Sequence, residues 1–357
     1  MSDRFYLNTR LRAMRANLLT RQGIERILAV PDIPGIVAAL REGPYGRPID
    51  LAGGGGPEVA RIEEALRRNV SETLSRLLAF SAGDCSEAVR LVLGRWELQA
   101  VKTVVRGKAA GVSAGEILSA LVPTGLHDEA ALEEMCRQPS LRALAELLVS
   151  WREPWGRPLL TALSGYGGPR DLYLLESALD RAWFLQAAGT LRAIPGTREG
   201  SEREDALSRF VSGSVDAINL MTALKAVEEG IVLPDRGRIF LPGGRVFDRD
   251  AFDRVLDSPT LAEALEEAGR YLFRDPSAAL PHPSPGVPIL PAVERQADRA
   301  QLRSSRAFAR VDPLGWGPLA SYLLDKLREV RNLRTIVRAR LADLPDADLN
   351  RLLILEY

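Results

Sequence analysis

The chain has 357 residues, and its 47 Lys plus Arg are balanced by 47 Asp plus Glu. A formal net charge of zero leaves no basic surplus to neutralise phosphates, which argues against nucleic-acid binding as the main task. The length allows two or three domains with real cores, and the dominance of Ala, Leu, Arg and Glu favours helix.

In chain order, the N-terminus MSDRFYLNTRLRAMR is charged throughout and has no apolar signal core. No run of about 18 apolar residues follows, so the expectation is a chain neither secreted nor membrane-spanning. Apolar residues at i, i+3, i+4 spacing predict amphipathic helices over 24–40, 58–78, 87–108 and 319–341. Gly- and Pro-rich stretches at 43–58, 196–205 and 281–291 read as loops or linkers. The stretch GIVLPDRGRIFLPGGRVF (230–247) alternates only briefly, and Pro and Gly interrupt it, so it reads as a local hairpin or loop. Cys85 and Cys136 lie far apart in no C-x-x-C spacing, which predicts two small, partly buried thiols in a reducing compartment.

An internal repeat carries more information. DRFYLNTRLRA from Asp3, ELQAVKTVVRG from Glu97, DAINLMTALKA from Asp216 and EVRNLRTIVRA from Glu329 fit one template. It opens on an acidic residue and has Leu or Val at +4, Thr at +6 and Leu or Val at +8. Arg or Lys follows at +9, then Ala or Gly at +10. The threonines are Thr9, Thr103, Thr222 and Thr335, the basic residues Arg12, Arg106, Lys225 and Arg338, and Asn fills +3 as Asn219 and Asn332. Positions +4, +7 and +8 make one helical stripe: Val101, Val104, Val105; Leu220, Ala223, Leu224; Leu333, Ile336, Val337. The early acid and late base suit the helix dipole. The first copy departs, with Arg10 on the stripe and Tyr6 in place of Asn. A second repeated element is a helix start after proline, at Pro139-Ser140-Leu141, Pro259-Thr260-Leu261 and, more loosely, Pro31-Asp32-Ile33. Thr260 and Glu263 have the spacing of a capping box. The expectation is an all-α chain of three related units, 1–111, 112–231 and 232–357, bridged by template helices.

The run DPLGWGPLASYLLDKLREVRNLRTIVRARLADLPDADL (312–349) resembles the C-terminal signature of the family of V-type/A-type ATPase C subunits, related to the eukaryotic d subunit. YLNTRLRAMRANLL, WELQAVKTVVRGKAAG and the FLPGGR turn at 240–245 are similar to other parts of that family, and Ala100 stands where the family usually has Asn. The resemblance implies three similar helical bundles around a pseudo-threefold axis, shaped as a funnel. It implies a non-catalytic central-stalk adaptor that couples the shaft, made of the D and F subunits, to the membrane ring of ion-carrying subunits. Such a protein is peripheral, at the cytoplasmic face, and meets the membrane only through the ring. Four template copies stand against three units, so the first is either a displaced extra helix or a partly accidental match. The rival reading is a helical-repeat scaffold of another assembly.

Reactive constellations are missing from the sequence. The run from Gly53 to Gly56 leads into Pro57-Glu58 rather than Gly-Lys-Ser/Thr, so it reads as a flexible loop, as does GYGGP at 165–169. His127 and His282 lack metal-ligand spacing, and His282 reads as a loop residue between two prolines. Glu133-Glu134 and Glu266-Glu267 read as solvated helix faces, and Asp248-Arg249-Asp250 is too short for a metal motif. Arg303, Arg306 and Arg310 read as helix surface, with a dock for an acidic shaft as the second reading. No catalytic, cofactor-binding or metal-ligating residue is therefore expected. The template threonines admit two readings: bonding back to a carbonyl one turn earlier, or a polar wall lining the funnel.

Overall fold

The computed structural model describes residues 3–53, 57–121, 123–195, 205–233, 235–272 and 288–355. Among them the regular elements are all helices, and no strand occurs. The first third holds α1 (Asp3–Arg15), α2 (Arg21–Leu28), α3 (Ile33–Arg41), α4 (Gly46–Leu51), α5 (Glu58–Phe80) and α6 (Asp84–Ala109). Next come α7 (Ala114–Ala120), α8 (Glu129–Arg137), α9 (Leu141–Ser150), α10 (Gly156–Ala162), α11 (Leu172–Ala193) and α12 (Ala206–Glu228). The rest comprises α13 (Arg236–Ile239), α14 (Arg249–Leu256), α15 (Leu261–Leu272), α16 (Leu290–Val311), α17 (Gly317–Leu341) and α18 (Asp346–Leu352).

Three expected helices appear almost at their predicted bounds, as α5, α6 and α17. The periodic stretch 24–40 is instead two helices, because Pro31 ends one and Asp32 caps the next, accepting from the Gly35 N–H at 2.8 Å. Of the segment 230–247, residues 230–233 and 235–247 are loop with one short helix, α13, and no strand. The stretch 43–58 is not wholly loop, since α4 lies within it. Its residues 54–56 lie outside the described residues, as do 196–204 and 281–287 with His282. Ser140 caps α9, accepting from the Ala143 N–H at 3.1 Å. At α15 the capping box is half formed. The Glu263 N–H donates to Thr260, but the Glu263 carboxylate takes the Thr260 hydroxyl. Both cysteines are buried free thiols.

The apolar stripes are buried as predicted, with Val101, Val104, Leu224 and Ile336 fully inaccessible. Each large side chain buried this way is worth about 1.5–3 kcal/mol. The C-terminal ends of α6, α12 and α17 close alike. Val112, Ile231 and Leu344 donate to Gly107, Ala226 and Ala339 carbonyls at 2.8, 2.8 and 2.9 Å. The residue before each donor is left-handed: Gly111, Gly230 and, in the last copy, Asp343 at φ 49°.

A further repeat lies in Pro-Tyr-Gly-Arg-Pro (44–48), Pro-Trp-Gly-Arg-Pro (154–158) and Trp316-Gly317-Pro318. Tyr45, Trp155 and Trp316 are buried and each stands at the start of a helix. The glycine that follows touches the backbone of the preceding helix. A Cβ on Gly156 would lie 2.5 Å from the Val149 nitrogen, and one on Gly317 equally close to that of Ala309.

The long helices pack in a cycle: α5 on α6, α6 on α11, α11 on α12, α12 on α16, α16 on α17, and α17 back on α5. The template helices α6, α12 and α17 also touch one another. Neighbours run antiparallel: Lys102 and Arg106 meet Asp180 and Glu176, and Gln301 bonds Ser214 while Lys225 senses Glu294. The C-terminal ends of the template helices and the N-terminal ends of α5, α11 and α16 therefore lie at one end. At the opposite end Trp96 of α6 meets Phe210 of α12, ring centroids 5.9 Å apart. The first half of α12, through Ile218, belongs to the main apolar core, and its second half, from Leu220, to a separate core with α13–α16.

Acidic and Asn positions of the template act as clasps. Asn219 takes both backbone groups of Leu241, at 2.8 and 2.9 Å, and Asn332 does the same to Ile354 at 2.9 and 3.0 Å. Asp216 accepts from the N–H groups of Arg245, Val246 and Phe247 at 3.0–3.2 Å. Glu97 accepts from the Thr124 hydroxyl and from His127, whose other nitrogen reaches Glu153 at 3.0 Å. Glu329 reaches across the molecule, accepting from the Leu19 N–H, the Tyr45 hydroxyl at 2.6 Å and Lys326 at 2.8 Å.

The two ends of the chain are stapled together. On α1, Asn8 donates to the Gly315 carbonyl at 3.1 Å and Arg15 pairs with Asp325 at 2.8 Å. From α17, Arg340 donates to the Val30 and Leu28 carbonyls at 3.0 and 2.5 Å. The first template copy is thus a genuine helix with Leu7 and Leu11 buried, docked on α17 and α6 outside the cycle of long helices.

Candidate functional site

On each template helix, the residues two before and two, five and nine after the acidic residue share one face. In α6 they are Arg95, Gln99, Lys102 and Arg106. In α17 they are Leu327, Arg331, Arg334 and Arg338, and in α12 Ser214, Ile218, Met221 and Lys225. The carboxylates facing them come from the helices between. Lys102 lies 2.8 Å from Asp180 and 3.3 Å from Glu176 of α11. Arg106 clamps Glu176 through two nitrogens at 2.5 and 2.8 Å. Arg334 meets Glu63 of α5 at 2.7 Å, and Arg331 pairs with Asp298 of α16. Template helices bring cations and intervening helices bring carboxylates.

This face turns toward the helices across the cycle and is wet only in part, since Lys102, Asp180 and Arg334 are buried. Arg95 senses Asp180 on α11 and Asp298 and Glu294 on α16, beyond α11 and α12 in the cycle. Yet the Asp298 and Arg331 side chains remain 42% and 45% accessible. Burial raises Asp298, with Arg331 opposing. Burial would also raise Glu176, but Lys102 and Arg106 outweigh it and hold that carboxyl far below its usual range. Burial lowers Lys225, partly offset by Glu176, and lowers Arg95 and Arg334 likewise.

The pairing is not complete. Among the described residues Lys225 makes no hydrogen bond or ion pair closer than 4 Å, although Glu176 and Glu294 influence it. Arg338 stands 64% accessible, only 4.0 Å from a Glu63 already taken by Arg334. Basic side chains gathered on this face therefore outweigh the carboxylates, in a chain whose formal net charge is zero.

Among the other residues weighed from sequence, Thr9, Thr103 and Thr335 bond back to the Phe5, Gln99 and Arg331 carbonyls at 2.8–2.9 Å, as the packing reading expects. None of the four threonines is buried. Arg306 is not free helix surface, because it joins Arg15 and Arg328 around the buried Asp325. Glu133, Glu134 and Glu267 serve helix-surface pairs, and Glu266 is exposed. His127 is buried between two glutamates. Burial alone would lower its pKa, but the bonds to Glu153 and Glu97 raise it to about 10. No helix among the described residues is long and apolar enough to cross a membrane. The sequence reading missed Arg95, Lys102, Arg331 and Arg334, although their i, i+4, i+7, i+11 spacing with Arg106 and Arg338 was available.

An all-helical repeat protein whose chain ends are locked together around a charged inner face is the class these features define. The chain belongs to the ATP synthase (C/AC39) subunit family, whose model matches residues 7–352. It is similar to the C subunit of the A-type ATP synthase of Methanococcoides burtonii, 25% identical over 354 residues, covering 99% of this chain and 95% of the relative. The C subunit of the V-type ATP synthase of Deinococcus radiodurans is 28% identical, over 98% of this chain and 90% of its own. That of Thermus thermophilus is 30% identical, over 97% of each.

Proposed function

We propose that the chain is the non-catalytic central-stalk adaptor of a rotary A/V-type ATPase, working at the cytoplasmic face of the membrane. The D/F shaft seats at the end where α6, α12 and α17 finish, and the opposite end rests on the ion-carrying ring. The units 1–111, 112–231 and 232–357 stand about a pseudo-threefold axis as a funnel. Several features support this arrangement: the cycle of long helices, the mutual contact of the template helices, and the passage of α12 from the shared core into a separate one. The names of the relatives, all C subunits of ATP synthases, support the complex.

The observation that carries the reading is the charged face of the helix cycle, part of it water-accessible, closed by the staple between α1 and α17. A shaft socket has to be polar, because its occupant is assembled from water rather than buried during folding. It must also be stiff, and interdigitated helices with clasped loops deform little under torque.

The test is ATP-driven ion transport in vesicles carrying the ring and the catalytic head. Without this chain, hydrolysis by the soluble head should persist while transport is lost, and adding the chain back should restore it. Transport that continues unchanged without the chain refutes the adaptor role.

A further inference from the structure

The charge balance of the inner face is uneven in a particular way. Most of its carboxylates are spoken for: Glu176 by Lys102 and Arg106, Asp180 by Lys102, Glu63 by Arg334, Asp298 by Arg331, while Glu294 acts on Lys225 only from a distance. Two basic residues at the +9 position are weakly held: Lys225 on α12 has no close partner, and Arg338 on α17 reaches only the Glu63 that Arg334 already holds, at 4.0 Å. Both lie in the last turn of their helices, at the same end of the cycle.

A cation in a last helical turn ordinarily answers the half negative charge of that helix end. Here the N-terminal ends of α5, α11 and α16 lie alongside, so the helix dipoles offset one another to first order. The cations are left with charge to spare. Desolvation of Lys225 without a close partner in the free chain points the same way, since a group held partly out of water gains most from a partner.

We propose that this mouth receives an acidic protein tip, with Lys225 and Arg338 pairing with its carboxylates. The proposal rests on the adaptor reading and specifies the chemistry of the shaft end that the mouth accepts. The two cations stand on different helices, so the fitting occupant carries carboxylates on more than one side. Arg106, already clamped by Glu176, acts as wall rather than receiver.

The experiment is binding of the full chain to the purified D–F shaft complex across a salt series. The wild type should weaken as salt rises. The double reversal Lys225→Glu with Arg338→Glu should lower low-salt affinity by about tenfold or more and flatten the salt dependence. Lys225→Arg with Arg338→Lys should keep both. Affinity unmoved by the reversal, or insensitive to salt in the wild type, overturns the proposal and leaves the adaptor reading standing. A wild type that binds no shaft at any salt sinks the adaptor reading itself. Salt-sensitive binding to anionic lipid vesicles in place of the shaft, lost in the reversal, also overturns the acidic-protein partner. If the double reversal fails to fold, Arg338→Gln, at an accessible position, should give a smaller loss in the same direction.

Discussion

Asn219→Ala tests the clasp logic most directly. Asn219 holds the Leu241 carbonyl at 2.8 Å and the Leu241 N–H at 2.9 Å, and both residues are buried. Truncation leaves a backbone donor and a backbone acceptor inside the protein with no partner. Each such orphan costs about 1–3 kcal/mol, so a total of about 2–6 kcal/mol is expected. At about 1.4 kcal/mol per factor of ten, the opening constant of the loop rises roughly 30- to 20,000-fold. Native-state hydrogen exchange at the Leu241 amide reads this locally, and urea unfolding reads it for the whole chain. Asn332→Ala should release Ile354 by the same mechanism. If Leu241 stays protected and the loss is below about 1 kcal/mol, the clasp does not hold the loop, and the reasoning fails.

Other outcomes follow from the same chemistry. The pKa of His127, raised to about 10 by Glu97 and Glu153, contributes stability that is full below about pH 6.5 and lost as pH climbs through 10. The urea midpoint of the wild type should decline over that window more steeply than that of His127→Gln. Gly156→Ala forces a methyl against the Leu148–Val149 backbone and should cost about 1–3 kcal/mol in urea unfolding. Gly189→Ala, in α11 with nothing within 4 Å of the new methyl, should gain up to about 1 kcal/mol. Asp343→Gly relieves a left-handed residue at φ 49° and should raise stability by about 0.5–1 kcal/mol, seen as a higher melting temperature.

The template was legible because its signals are local. The +4, +7, +8 stripe of α6 or α17 is an i, i+3, i+4 pattern, and Gly111 and Gly230 mark helix ends within the same segment. At Pro31 two signals conflict: periodicity carries straight through it from Ile24 to Leu40, while Pro31-Asp32-Ile33 reads as a helix start, and the structure follows the second. Pro-Tyr-Gly-Arg-Pro, within the stretch 43–58, reads as loop because Gly and Pro usually interrupt helices, and Pro-Trp-Gly-Arg-Pro has the same make-up. In the structure they start them, where the first turn tolerates proline and the glycine lets two backbones meet. The basic stripe of the inner face is periodic in the sequence, but its acidic partners are not. Arg106 meets Glu176 across 70 residues of chain, so the alternation of sign exists only once the helices are packed. The same holds for His127, whose two glutamates come from α6 and the loop after α9.

The staple between the chain ends has a consequence for biosynthesis. Tyr45 leaves the ribosome 284 residues before Glu329, its hydrogen-bond acceptor, and Arg15 precedes Asp325 by 310. The first helices therefore cannot reach their final packing while they are being made. They wait for α17, and until it arrives the Tyr45 hydroxyl and the surface beneath α1 and α3 lack their partners. Contacts of such sequence separation slow folding and lengthen the life of exposed intermediates. A chain interrupted before α17 loses the seal of its first helices together with its last two helices, and so leaves apolar surface uncovered.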